Sequence, residues 1–409
     1  MQLTERQQTQ LDLANLEGAY SGWAGASAAG QYRTGTAGID RLAALQASGE
    51  FSVIADRKVR FTVVPMGVFL NSGLLDTTSG TLGTQPVLGT LTGNAIDPPQ
   101  QQFATGVGGE IQMVTKTFSA AAGYTPYEFL VSNLIGRARW KPGNGHFTMY
   151  GGRDSVKETQ LSWAGLRDPG SSFTNGNIWG GVVETGGGVR LDFGSEKSAI
   201  YVQAEGADLT GFHVLENRKF DGTTGASFRV RTWKDAGSLN VGATMFGEHF
   251  NHNERGETYG LGGYFSPNTY FLAAVPLTFT GHQGTYFHYT VSGGAGIQTF
   301  QEASQVYFPL DVPIQTEFAS GCTTAVAGAC AVFPVNSMTE ANYSLDARTA
   351  FQATDHWFLG AFVRANNANH YDTVSAGFFV RVTFRKEFPA AHYPTGLFSV
   401  EGFRPVKVP

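Results

Sequence analysis

Two segments of the sequence combine aromatic rings with planar polar groups, a combination typical of sites that hold sugars. The first covers residues 153–169 and continues at 179–186, and the second covers residues 259–270. Rings stack on the C–H faces of pyranoses, while guanidinium, carboxylate and amide groups hydrogen-bond to hydroxyls. Packing of loops together with an interfacial aromatic belt explains the same residues equally well. The candidate sugar contacts or constriction residues are Trp163, Arg167, Asp168, Trp179, Tyr264, Phe265 and Tyr270.

Signals for enzymatic chemistry are weak. His249 and His252 are three residues apart and lie near Glu248, a spacing that suits metal ligands on a helix. Their surroundings instead indicate a strand that runs into a loop. The Gly-x-Ser-x-Gly motif of serine hydrolases does not occur. We therefore expect no catalytic residue, no cofactor and no metal.

Composition excludes several classes of protein. The chain has 409 residues, of which 28 are Lys or Arg and 33 are Asp or Glu, so charged residues make up only 15%. A slightly negative charge without a Lys/Arg run argues against nucleic-acid binding. An apolar content of 42% argues against disorder. No apolar run approaches the roughly 18 residues of a transmembrane helix.

Alternation of apolar and polar residues with a period of two predicts β-strands along the whole chain. In residues 374–385, for example, apolar side chains alternate with Ser375, Arg381 and Thr383. At least fourteen strands are expected, with an even total, because an even number returns both chain ends to one side. They lie near 17–32, 58–71, 103–118, 127–140, 146–154, 179–193, 198–209, 224–234, 238–249, 258–279, 285–300, 342–353, 356–366 and 373–386.

Tight turns alternate with long connections between these strands. The long ones are expected near 155–178, 210–224, 302–341 and 367–372. This alternation of short and long connections is typical of outer-membrane barrels, which have short periplasmic turns and longer extracellular loops. We therefore predict an all-β fold, a transmembrane antiparallel barrel over 15–388, although a soluble all-β protein would alternate similarly. Residues 1–14 would form a polar linker or short helix, and 389–409 a lumenal or periplasmic tail.

In a barrel, the polar faces of the strands would line a hydrated lumen. Cys322 and Cys330 lie in a loop of small residues, and their spacing suits a disulfide in an oxidising compartment, with two free thiols as the alternative. The predicted pore-lining residues are Glu184, Arg190, Arg229, Arg231, His288, Arg348 and Arg381.

The aromatic segments also carry the resemblance of this sequence to a known family. Residues 156–169 read Val-Lys-Glu-Thr-Gln-Leu-Ser-Trp-Ala-Gly-Leu-Arg-Asp-Pro, and residues 179–182 read Trp-Gly-Gly-Val. Residues 259–268 read Tyr-Gly-Leu-Gly-Gly-Tyr-Phe-Ser-Pro-Asn. These motifs resemble the C-terminal outer-membrane domain of cellulose synthase operon protein C. The sequence departs from the family pattern at Thr159, Trp163, Leu261 and Asn268, where Ser, Tyr, His and Gln are usual.

The resemblance implies a barrel of about sixteen strands in the bacterial outer membrane, through which a β-1,4-glucan leaves the cell. The expected partners are the glucan polymer in the lumen, outer-membrane lipid, a periplasmic repeat domain or protein, and an inner-membrane cellulose synthase complex. The first residues lack a signal peptide, which is consistent with an excised domain. A general diffusion porin, a barrel lipase or deacylase, and a soluble carbohydrate-binding protein remain as alternatives.

Overall fold

The computed structural model describes residues 21–55, 58–75, 100–143, 145–168, 176–195, 197–233, 236–284, 286–320, 331–368 and 371–385. The elements are β1 (Trp23–Arg33), β2 (Leu42–Ala55), β3 (Val59–Leu75), β4 (Gln100–Val114), β5 (Phe118–Tyr124), β6 (Leu134–Trp140), β7 (Phe147–Ser155), α1 (Gln160–Ala164), β8 (Leu166–Arg167), β9 (Ile178–Gly194), β10 (Ser198–Phe212), β11 (Asn217–Trp233), β12 (Gly237–Phe250), β13 (Thr269–Gln283), β14 (Phe287–Glu302), β15 (Gln305–Val306), α2 (Val312–Ser320), β16 (Val332–Phe333), β17 (Asn336–Gln352), β18 (Trp357–Asn366) and β19 (Thr373–Thr383).

Sixteen of these strands form one closed antiparallel barrel, as the sequence predicted. Each barrel strand pairs with the next one along the chain, and β19 pairs with β1 over residues 23–33 to close the ring. The short strands β8, β15 and β16 lie in the connections, where β8 pairs with the start of β9 and β15 pairs with β16. Because every barrel strand has a neighbour on each side, closure leaves no open sheet edge.

Short and long connections alternate between the barrel strands, with the short turns at one end of the barrel. Residues 115–117 and 353–356 form two of these short turns. Residues 156–177, 251–268 and 303–335 connect strands at the opposite end. The expected long connection at 210–224 is wrong. β10 continues to Phe212 and β11 begins at Asn217, so that only residues 213–216 connect them.

Four other strand predictions need correction. β2 was missed, and 127–140 and 258–279 were too long: β6 covers only 134–140 and β13 only 269–283. β5 was missed as well, since only its first residue, Phe118, falls inside a predicted strand. β2 and β5 are rich in Ala, Ser and Gly, so their side chains give little contrast between faces. Among the described residues, no helix is long and apolar enough to cross a membrane.

The outer surface of the barrel is apolar and the inner surface is polar or packed against loops. On β19, Val374 is 49% and Phe378 is 63% exposed, whereas the intervening Ser375 and the inward Arg381 are each 5% exposed. Strand alternation therefore places apolar side chains outside, as in barrels surrounded by lipid. The predicted linker 1–14, the tail 389–409 and both cysteines, Cys322 and Cys330, lie outside the described residues.

A buried cluster of charges and one aromatic ring joins the first and last strands. The guanidinium carbons of Arg60 and Arg381 lie 4.0 and 4.6 Å from the ring centroid of Trp23. Glu50 accepts a hydrogen bond of 2.8 Å from Arg381 and one of 3.3 Å from the Trp23 indole nitrogen. Cation–π contacts and ion pairs strengthen when they are desolvated, so this cluster stabilises the closing strand pair.

We expect Glu50→Gln to destabilise the barrel by about 3 kcal/mol, because it removes the negative charge that faces the buried Arg381. The unfolding free energy in lipid vesicles, followed by urea titration, measures the effect. Arg218→Gln is the matched control, since Arg218 pairs with Asp208 on the exposed outer surface. Equal stability of the two variants would show that the Trp23 cluster does not hold the seam.

Candidate functional site

Loops at the long-connection end fold across the mouth of the barrel. Arg33, at the end of β1, donates a 2.6 Å hydrogen bond to the backbone oxygen of Glu158, in the connection that follows β7. The neighbouring Thr159 hydroxyl donates a 2.9 Å hydrogen bond to the backbone oxygen of Gly263, in the connection that follows β12. β1, β7 and β12 are separated by three to five strands around the ring. Segments that join such distant points must lie across the lumen.

Residues 156–168, 251–268 and 303–320 form what we call the loop cluster. Its core joins loop residues such as Tyr264 and Phe308 with Val182 and Leu209, which point inward from the barrel wall. These four side chains are between 0% and 6% exposed. The mouth of the barrel therefore contains an apolar core, which is packed like the interior of a soluble protein.

The one-turn helix α1 is a well-defined part of this cluster. Thr159 and Ser162 form a capping box, in which each side chain bonds the other residue's backbone nitrogen at 3.0 Å. Gly165 ends the helix with a φ of +75°, and a Cβ there would lie 2.7 Å from Val131. Every residue of α1 is buried, so the capping box and the glycine fix the position of Trp163.

The structure brings the predicted aromatic set together at this end of the barrel, but it buries the rings. Five predicted rings are at most 3% exposed, and Phe265 meets Tyr270 and Phe300 edge-on at 5.8 and 5.3 Å. Arg167 is exposed, whereas Asp168 is buried. In this conformation the rings pack against protein. The contact of the predicted aromatic set, Arg167 and Asp168 with sugar therefore remains a prediction. The five rings are Trp163, Trp179, Tyr264, Phe265 and Tyr270.

Two buried carboxyl groups lie in the loop that follows β12. Glu254 is fully buried and accepts a 2.8 Å hydrogen bond from the Gly262 backbone nitrogen. Glu257 is 2% exposed, and neither of its carboxyl oxygens has a hydrogen-bond partner among the described residues. Burial raises the pKa of both groups well above the usual glutamate value; Asp40 raises the pKa of Glu257 further, and Arg33 opposes this.

Sequence analysis missed both glutamates. The run from His249 to Arg255, which includes Glu254, was considered only for metal binding and interpreted as a strand that runs into a loop of solvated histidines. The sequence signal that could have indicated these glutamates is a charged segment next to the Gly-rich aromatic motif at 259–268. Periodicity says nothing about a loop that folds inward, so the burial of these carboxyls could not be predicted.

Below the loop cluster, the strands carry charged residues on their inner faces. Arg190 lies between the outward Val189 and Leu191, and it pairs with Asp192 at 2.8 Å. Glu184 pairs at 2.7 Å with Lys219, a residue that sequence analysis missed because it assigned 210–224 to a loop. Arg229, His288, Arg348 and Arg381 occupy inward positions on their strands by the same alternation. Arg231, in contrast, lies on the outer face, because a β-bulge shifts the register between Arg229 and Arg231 and places Arg231 opposite Leu239. Its guanidinium carbon lies 5.0 Å from the ring centroid of Trp233, which packs against the outward Phe279. The inner wall is therefore polar and hydrogen-bonded. Contact of its side chains with a polymer remains a prediction.

Residues 40–385 match the family described as "Cellulose synthase operon protein C C-terminus". The chain belongs to this family. The motifs that carry the resemblance, at 156–169, 179–182 and 259–268, fall in or against the loop cluster rather than along the lower wall. The family pattern therefore marks the closed mouth of the barrel.

Two named relatives are similar to this chain over most of its length. A cellulose synthase operon protein C of Komagataeibacter xylinus is 31% identical over 274 residues, which cover 65% of this chain and 20% of that protein. The protein of the same name from Pseudomonas fluorescens (strain SBW25) is 25% identical over 359 residues, 86% of this chain and 26% of that protein. The chain thus spans about a fifth to a quarter of the length of these relatives.

Among solved structures, a "Bacterial polysaccharide outer membrane secretin" superposes with a TM-score of 0.51. The match covers 88% of this chain and 98% of that one, at 10% sequence identity. At this identity the likeness concerns the fold alone, and it agrees with the barrel of the cellulose synthase operon protein C family.

We predict that the packing of the loop cluster weakens as the pH rises. A carboxyl whose pKa is raised when buried stays protonated there, whereas the same group ionises above about pH 4.3 once exposed. Packing is therefore most stable below that pH and loses stability as the pH rises through the raised pKa values. Hydrogen exchange in residues 251–268, corrected for intrinsic rates, should show at least about tenfold less protection at pH 8 than at pH 5.

Glu257→Gln should reduce this pH dependence, because the amide remains neutral at every pH. Glu216→Gln is the control, since Glu216 is exposed in the turn between β10 and β11 at the same end of the barrel. A profile for Glu257→Gln as steep as that of the unsubstituted chain would contradict the assignment.

Proposed function

We propose that this chain is an outer-membrane channel that exports an exopolysaccharide, most simply cellulose, from the periplasm to the cell exterior. The observation that carries the proposal is a closed ring of sixteen strands with an apolar outer face and a polar lumen. Membership in a family whose relatives are named for the cellulose synthase operon supports the choice of glucan. Barrels of 16–18 strands are wide enough to leave an aqueous channel.

The channel acts as a passive conduit with no catalytic role. A neutral polymer moves best through weak, repeated contacts, because strong binding at one point would trap it. Polar and charged side chains along the lumen supply such contacts to sugar hydroxyls. The residues proposed to contact the passing chain are Glu184, Arg190, Arg229, His288 and Arg348; Arg231 lies on the outer face, and Arg381 is buried against Trp23 and Glu50.

The loop cluster is the constriction of this channel. Its buried rings, together with Arg167 and Asp168, close the mouth in the conformation described here, and the loops must move apart before a glucan can leave. The rings that separate would then offer faces for stacking on sugars. A general diffusion porin would instead keep its mouth open, so the packed apolar core favours a gated exporter over that alternative.

The orientation of the barrel follows from its connections. In outer-membrane barrels, the short turns face the periplasm and the long loops face the exterior. The polymer would therefore enter at the short-turn end, delivered by an inner-membrane cellulose synthase. A periplasmic repeat domain or protein would guide it there.

A pair of adjacent residues tests whether glucan passes through the lumen. Ser292 points inward and hydrogen-bonds to Thr278 at 3.0 Å, whereas Val291 is 42% exposed on the outer face. Ser292→Trp should narrow the lumen and slow the efflux of labelled cello-oligosaccharides from proteoliposomes by about tenfold, the effect of a 1.4 kcal/mol barrier. Val291→Trp places the same ring in lipid and should leave efflux unchanged. Equal efflux through both variants would refute passage along the lumen.

A further inference from the structure

The charged residues of the lumen are sorted by sign along the barrel axis. On β11, Arg229 lies four residues from the end of the strand at Trp233, whereas Asp221 lies twelve residues away. On β17, Arg348 lies four residues from the end at Gln352, and Glu340 lies twelve. Arginine is therefore concentrated near the short turns, and carboxylates are concentrated beneath the loop cluster.

The two groups can be defined by their residues. The basic zone contains five arginines and two aspartates, a formal charge of 5 − 2 = +3: Arg139, Arg190, Arg229, Arg348, Arg364, Asp192 and Asp346. The acidic zone contains five carboxylates and one lysine, a formal charge of 1 − 5 = −4: Glu184, Glu205, Asp221, Glu248, Glu340 and Lys219.

The acidic zone is compact. The ammonium nitrogen of Lys219 lies 2.7 Å from Glu184, 3.5 Å from Asp221 and 3.8 Å from Glu205. Asp221 stands directly opposite both Glu205 and Glu248 in the strand register. A single cation, the Lys219 ammonium, therefore lies among carboxylates from four neighbouring strands. One positive charge does not neutralise all of them, so a local excess of negative charge remains.

Charges elsewhere on the described inner wall balance each other. Arg381 pairs with Glu50 at 2.8 Å. Arg137 pairs with Glu110 at 2.8 Å and with Asp154 at 3.2 Å. Together with Arg60, Arg33 and Glu302, these residues comprise four arginines and four carboxylates, a formal charge of 4 − 4 = 0. The difference between the two zones is therefore not cancelled by the rest of the wall.

The zones are far enough apart to act separately on a small ion. Asp221 and Arg229 are eight residues apart on one strand, which corresponds to about 27 Å at roughly 3.4 Å per residue. The Debye length is about 10 Å at 0.1 M salt, so an ion near one zone is largely screened from the other. Low-dielectric walls around a narrow lumen also concentrate the field of each zone.

We propose that the lumen is a two-zone charge filter, which opposes cations at the basic zone and anions at the acidic zone while an uncharged glucan passes both. The inference rests on the proposed export function and narrows its substrate class to polymers without charged substituents. A polyuronate would be attracted at the entrance and repelled beneath the loops. Leakage of ions during export would be low for both signs.

Local potentials can be measured without any transport. Ser227 and Thr223 both point into the lumen from β11; Ser227 lies two residues from Arg229, and Thr223 lies two residues from Asp221. Each is changed to cysteine in the full chain, with Ala at Cys322 and Cys330. The rate of modification by anionic sulfonatoethyl methanethiosulfonate is then divided by the rate for the cationic trimethylammonioethyl reagent.

This ratio should be at least about tenfold higher for Ser227→Cys than for Thr223→Cys at 0.1 M salt, and the difference should fall below about threefold at 1 M. Glu205→Gln with Asp221→Asn should raise the ratio at Thr223→Cys towards that of the other site. Asp208→Asn is the matched control, since Asp208 is exposed on the outer face and should change nothing.

Equal ratios at the two thiols, or no reaction at either, would overturn the charge filter. Export through the lumen is tested independently by the Ser292→Trp and Val291→Trp pair. If glucan passes while the two ratios are equal, the filter is wrong and the channel stands. If the ratios differ while glucan does not pass, the channel assignment fails instead.

Discussion

The constraint on which this structure depends is that a backbone in hydrocarbon must satisfy all of its hydrogen bonds internally. A sheet meets this requirement only when its first and last strands pair, because an open edge would leave N–H and C=O groups in lipid. Here β19 pairs with β1 over eleven residue pairs, and the cluster around Trp23 reinforces that seam. The apolar exterior, the polar interior and the even number of strands all follow from closure.

Closure also determines where an apolar core can form. A barrel of this size does not fill its lumen with side chains of the wall alone. In this protein the long connections turn inward and build a core of loop side chains against Val182 and Leu209. The capped helix α1 and the buried glutamates belong to the same assembly. The mouth therefore contains a packed core that the loops and the barrel wall build together.

Sequence periodicity predicted the barrel because strands between lipid and water alternate strictly, as at Val374, Ser375 and Phe378. It failed where both faces carry small residues, as in β2 and β5, and where polar residues extend β10 and β11 towards the loops. The aromatic motifs were found, but their burial depends on contacts between loops that are more than a hundred residues apart. Hydrogen bonds such as Thr159 to Gly263 are invisible to any local pattern. The separation of positive and negative side chains along the barrel axis could be recognised only once the strand register was known.

The central claim is that a β-1,4-glucan travels along the polar lumen and that the loop cluster moves aside to release it. The most direct test is an electron cryomicroscopy reconstruction of the chain in lipid nanodiscs with a short cello-oligosaccharide. The account predicts elongated density along the barrel axis, bounded by inward residues such as Ser292 and Arg229, with residues 251–268 displaced from the mouth. Sugar density confined to the outside of the barrel, with the loops still packed, would contradict it.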